Sequence, residues 1–106
     1  MNVQIEMEDK VYTLEYDRAS VMEMEGMGYN AANPTDKLFT NFNLLIRGAL
    51  LKHHRDLSKH TVDDIISYME KEYGMIEIIT VLSEMVNELF ILEGKKKLKV
   101  NKGHRA

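Results

Sequence analysis

The chain has 106 residues, one proline and no cysteine, which fits a single domain held by packing and excludes disulfides and thiolate metal sites. Hydrophobic residues make up 44%, enough for a core, but no run is long and apolar enough to cross a bilayer and the acidic, alternating N-terminus is unlike a signal peptide. A net charge of −3 argues against a strongly basic nucleic-acid binder, and an intracellular (cytoplasmic) protein is the expectation.

Val3, Ile5 and Met7 alternate with Gln4, Glu6 and Glu8, the period of a half-buried strand. Glu8-Asp9-Lys10 reads as a turn, and Val11 to Tyr16 as a second strand with Tyr12, Leu14 and Tyr16 on one face. This hairpin, residues 3–16, must lie on something, because two isolated strands are marginal in water. Asp17 or Ser20 can cap a first helix over about 18–27 by accepting bonds from its free amides. Val21, Met24 and Met27 share one of its faces, and Gly26 and Gly28 close it. Met22 is turned by about 200° from Met24, so the two cannot face the same core.

Asn33-Pro34 reads as the cap and first-turn proline of a second helix over about 34–54. Leu38, Phe42, Leu45, Ile46, Ala49 and Leu50 form its apolar stripe, opposite Asp36, Thr40, Asn43 and Arg47. Gly48 within it costs up to ~1 kcal/mol relative to alanine, which points to close packing by another element. Thr61 and Asp64 resemble a capping box for a third helix over 61–73, with Ile65, Ile66, Met69 and Tyr73 on its apolar face and Gly74 as its stop.

The fourth helix, about 75–93, keeps only a narrow polar stripe of Glu77, Thr80, Glu84 and Glu88. An apolar arc wider than about 100° marks a helix that is central, or buried once in its own fold and again on a partner. A domain this small has few elements to wrap a central helix, which favours self-association or a protein ligand. The fold class is therefore α+β, mainly α: an N-terminal hairpin and about four helices in one globular domain, 1–93, followed by a basic flexible tail, 94–106.

Charge divides at that boundary. Residues 1–93 hold all 17 acidic and 8 basic residues, 8 − 17 = −9, while 94–106 hold 6 basic residues and no acid. The tail is either a solvated terminus or a segment that attracts nucleic acid or an acidic neighbour.

Little in the chain suggests catalysis. His53 and His54 diverge by about 100° on a helix, and His60 and His104 lie elsewhere, so ordinary surface histidines are expected and no metal or cofactor. Asp63 and Asp64 read as first-turn anions favourable to the helix dipole, and Glu70 and Glu72 as a solvated face. No nucleophile is spaced against a base, and no glycine-rich phosphate loop follows a strand, so the reading is non-enzymatic. The acidic, greasy fourth helix is wrong for a recognition helix, and DNA is not expected as a partner. The 8 methionines suit an adaptable binding surface as well as they suit gap-filling in a core.

Residues 11–29, Val-Tyr-Thr-Leu-Glu-Tyr-Asp-Arg-Ala-Ser-Val-Met-Glu-Met-Glu-Gly-Met-Gly-Tyr, resemble the N-terminal signature of small tail assembly chaperones of long-tailed bacteriophages and prophages. The downstream order is also similar: a Pro-initiated apolar helix ending in Leu50-Leu-Lys-His-His54, the Leu57-Ser-Lys-His-Thr61 cap, and a last acidic amphipathic helix. The resemblance implies a non-enzymatic protein of the bacterial host cytoplasm. It would coat and solubilise the tape measure protein, help recruit tail tube subunits and leave the finished virion, while the wide apolar arc of the fourth helix favours a homo-oligomer. It also implies a longer form made by frameshifting, for which the AAA/AAG codons of Lys95-Lys96-Lys97 offer a slippage site. Expected partner-binding residues are Met22, Met24, Met27, Phe39, Phe42, Ile78, Val81, Met85, Leu89 and Leu92. The competing reading is a small regulatory or antitoxin-like interaction module that works through its basic tail.

Overall fold

The computed structural model describes residues 1–30, 32–33, 36–91 and 98–99. Two strands, β1 (Val3–Met7) and β2 (Lys10–Leu14), are followed by α1 (Arg18–Gly26), α2 (Leu38–Leu51), α3 (Lys59–Tyr73) and α4 (Met75–Ile91). The architecture is α+β and mainly helical, with the hairpin preceding the four helices. β1 and β2 are antiparallel, with Val3 opposite Leu14 and Met7 opposite Lys10. Glu8 and Asp9 join them with φ of 52° and 65°, the left-handed pair that a two-residue type I′ turn needs to match strand twist. Ile5, Tyr12, Leu14 and Tyr16 are buried, as their alternation anticipates.

Asp17 caps α1. Its carboxylate accepts from the Ser20 N–H at 2.8 Å, and the Ser20 hydroxyl accepts from the Asp17 N–H at 2.9 Å, a reciprocal capping box. The helix closes in a Schellman motif: the Tyr29 N–H donates to the Met24 carbonyl at 3.0 Å and the Gly28 N–H to that of Glu25 at 3.1 Å. Gly28, with φ of 110°, supplies the left-handed step, while Gly26 stays inside the helix. Tyr29 is thereby folded back into the core.

Two expected helix starts shift. α2 begins at Leu38 behind Lys37, whose φ of 54° turns the chain in without a side-chain cap, so Asn33 is not the cap residue. Pro34 lies outside the described residues. α3 begins at Lys59, ahead of the expected residue 61, because Ser58 is the N-cap and accepts from the Thr61 N–H at 3.1 Å. Asp63 and Asp64 therefore sit beyond the first turn, where the helix dipole does little for them. The end of the fourth helix beyond Ile91 and the expected tail fall outside the described residues, except for Leu98 and Lys99.

The central helix is α2, not α4. β2, α1, α3 and α4 all pack on it, and from Asn41 to Leu50 only Asn43 and Arg47 are as much as half-exposed. Its polar stripe reads as one-sided, but the polar side chains within this stretch are accommodated. The Asn41 amide donates to the Asp36 carbonyl at 2.7 Å. Arg47 donates to Asn43 at 2.6 Å and reaches across to Asp63 on α3. α4 buries Ile78, Ile79, Leu82, Met85 and Val86 on one face and leaves Ile76, Phe90 and Ile91 outside it. The excess apolar width read from its sequence is this outer set.

Candidate functional site

The polar clusters of this fold join elements to one another. Glu15, just past β2, lies 2.9 Å from Lys52 Nζ and 2.8 Å from His53 Nε2. Hydrogen bonding to His53 first, then to Lys52, brings its carboxyl down to about 2. The Thr13 N–H donates to His54 Nε2 at 2.9 Å, and the Glu15 N–H to the Ala49 carbonyl at 3.0 Å, so the outer edge of β2 is tied to the end of α2. His54 is thus not an ordinary surface histidine; it is half-buried and accepts a strand-edge bond. Asp63 takes Lys59 and Arg47 together, the Lys59 bond contributing most to its lowered pKa. Arg55 holds Glu23 at 2.9 Å, joining α1 to the α2–α3 loop. Among the described residues, no group of three or more His, Asp and Glu could hold a metal ion.

Apolar surface is where the fold leaves something unused. Met22 on α1 and Phe90 on α4 are 63% and 58% exposed and line one cleft of about 220 Å³ with Val21 and Leu89 between them. Leu89 also borders a second cleft of about 520 Å³, which Met1 and Ile91 complete over Tyr16. Ile91 is 70% exposed, so Met22, Phe90, Ile91 and Met1 make one apolar region around the C-terminal end of α4. Arg18 and Glu25 flank its α1 side, and Glu15 and Glu88 its other side. A separate groove of about 310 Å³ runs between β1 and the α3–α4 corner, lined by Val3, Ile5, Met69, Tyr73, Ile78 and Val81.

The residues expected to bind a partner divide accordingly. Met22, Met27 and Phe39 are exposed, and Val81 and Leu89 are half-buried at groove walls. Met24, Phe42, Ile78 and Met85 are instead at most 3% exposed and belong to the core, a correction to their expected place on a surface. Their helical spacing is core spacing: Met24 faces α2, and Ile78 and Met85 lie on the inner row of α4 with Leu82. Leu92 lies outside the described residues. Phe90, Ile91 and Ile76 were missed as surface residues. The available signal was their position off the 78–82–85–86 row, in a helix too apolar for one buried face.

The fold and surface define a small α+β helical domain that presents apolar side chains on an acidic body. The chain belongs to the family described as Domain of unknown function (DUF5055), whose model matches residues 1–102. No curated protein and no solved structure matches the chain.

Proposed function

We propose that this chain is a tail assembly chaperone of a long-tailed phage or prophage, working in the host cytoplasm to bind and solubilise a tape measure protein. The observation that carries the reading is the apolar region of Met22, Phe90 and Ile91, three large side chains left outside a complete core. Exposed methionine beside an aromatic ring suits a client helix whose apolar stripe varies along its length, because thioethers adapt to irregular partners. The charge of −9 over residues 1–93 would keep a coated, greasy client in solution. Resemblance of residues 11–29 to the chaperone signature supplies the client's identity. Recruitment of tail tube subunits follows from the same resemblance and would use surface that remains free once the client is seated.

The test is co-expression of the full chain with the long helical protein encoded beside it. The client should stay soluble with this chain and precipitate when Met22→Lys and Phe90→Lys are introduced together. A client equally soluble alone, or equally soluble with the double variant, would overturn the reading. The gene offers a second check: an overlapping −1 frame near codons 95–97 should open into a longer product.

A further inference from the structure

The two edges of the hairpin are treated differently. On β2, Thr13 and Glu15 donate their outward N–H groups to His54 and Ala49, so that edge is closed. Thr13 faces away from β1 and is paired with Gln4, which makes this a non-hydrogen-bonded pair. The Gln4 main chain therefore points to the opposite, outer edge, and so does that of Glu6 two residues on. Among the described residues, no main-chain bond reaches Gln4 or Glu6 from outside the hairpin. An open edge of this kind templates the addition of another strand.

Beside that edge lies the groove of about 310 Å³, with Val3, Ile5, Tyr73, Ile78 and Val81 on its walls. Among the described residues, the one charged residue lining it is Glu77. The elements that wall it carry two more carboxylates, Glu6 on β1 and Glu72 beside Tyr73 on α3. An apolar floor with an acidic rim calls for an extended segment whose side chains alternate apolar and basic. The chain contains one, Lys97-Leu98-Lys99-Val100, within a C-terminal stretch of 6 basic residues and no acid. As a strand it would put Leu98 and Val100 on one face and the lysines on the other. Leu98 is 94% exposed, so it does not occupy the groove of its own molecule.

We propose that residues 95–102 of one copy add to β1 of a second copy as an extra strand, seating Leu98 and Val100 in the groove between β1 and the α3–α4 corner. The edge and the segment are different surfaces, so the contact is heterologous and propagates head to tail. It uses neither Met22 nor Phe90 and does not depend on any client.

Sedimentation of the full-length chain over a concentration series tests this, with two full-length variants. Gln4→Pro removes an outward N–H while leaving the ladder to β2 intact, as proline permits on an edge strand. Leu98→Asp with Val100→Asp removes the apolar face of the segment. The wild-type chain should associate, more weakly at high salt because the charges at the rim are exposed. Each variant should be monomeric with an unchanged melting temperature. Mixed together they should form a 1:1 dimer that grows no further, since one supplies only a segment and the other only an edge. If Gln4→Pro proves less stable, Glu77→Lys at the rim replaces it and should weaken association by roughly tenfold or more. A wild-type monomer at every concentration, association surviving in either variant, or a mixture that stays monomeric would each overturn the proposal.

Discussion

Met24 occupies the space that a side chain at position 48 would need. A Cβ built on Gly48 would fall well inside contact distance of both the Sδ and the Cγ of Met24. Met24 is fully buried there, so α1 rests on α2 through a thioether laid across a glycine. The helix-weakening residue at the centre of α2 is thus a packing device, and the sequence alone already called for a close approach at that point.

Gly48→Ala should therefore destabilise the fold even though alanine is the better helix former. The propensity gain is at most ~1 kcal/mol, whereas overpacking a filled site costs typically about 1–3 kcal/mol. In a Met24→Ala background, itself about 2–5 kcal/mol less stable, the obstruction is gone and Gly48→Ala should become neutral or stabilising. A denaturant double-mutant cycle measures this sign change. An equal loss in both backgrounds would show that Met24 is not the obstacle.

The bond from the Thr13 N–H to His54 Nε2 requires that nitrogen to be unprotonated, with the Tyr12 ring edge-on at 5.3 Å. Burial first, then the neighbouring His53, lowers the pKa of His54 below its ordinary 6.5. The unfolded chain therefore takes up the proton first. Stability from this contact is complete above pH 6.5 and is lost as pH falls through that value toward the lower folded one. The shifted carboxylates, Glu15, Asp17, Glu23 and Asp63, start from 4.5 or 3.8 and move down, so they act at lower pH. Melting temperature should fall from pH 7.5 to 5.5 more steeply for wild type than for His54→Gln. Equal slopes would dismiss the histidine as the cause.

Local signals were legible in the sequence, and long-range ones were not. Strand alternation at Ile5, Tyr12 and Leu14, the Asp17 cap and the closing glycine at 28 each act within a few residues, so pattern alone places them. The start of α2 was misplaced because Asn33-Pro34 is a strong local signal, and the left-handed turn at Lys37 has no sequence mark. Which helix is central depends on what packs on it. Arg47 looked like a solvent residue until α3 brought Asp63 to it, and His54 looked free until β2 brought Thr13. For the apolar surface, periodicity separated Met22 from Met24 but could not say which turned inward. It also put Ile78 and Met85 on the expected binding surface and left Phe90 out, because one wide stripe contains both a buried row and an exposed one.

Glu15 should govern part of the acid limb of stability. His53 Nε2 at 2.8 Å and Lys52 Nζ at 2.9 Å hold its carboxyl at about 2, against an ordinary 4.5. A depressed carboxylate contributes stability that is present above pH 4.5 and is lost as pH falls from there toward 2. Glu15→Gln should lower the melting temperature at pH 6 and flatten its decline between pH 4.5 and 2. The difference at pH 6 should shrink in high salt, since the partners are partly exposed. Wild type and variant melting in parallel through this range would count against the assignment.

Met22 and Met24 stand two residues apart and should respond oppositely to the same change. Met22 is 63% exposed on the α1 side of the apolar region, so Met22→Lys should shift stability by no more than about 0.5 kcal/mol. Met24 is fully buried where α1 meets Gly48, and a lysine there must bury its ammonium or push α1 away from α2. An unpaired buried charge costs several kcal/mol, a large part of the total stability of a small domain, so Met24→Lys should be unfolded or nearly so at 25 °C. Urea denaturation followed by circular dichroism distinguishes the pair. Similar midpoints for the two variants would mean that α1 is rotated on α2 relative to the arrangement described here, and would remove Met22 from the exposed region with it.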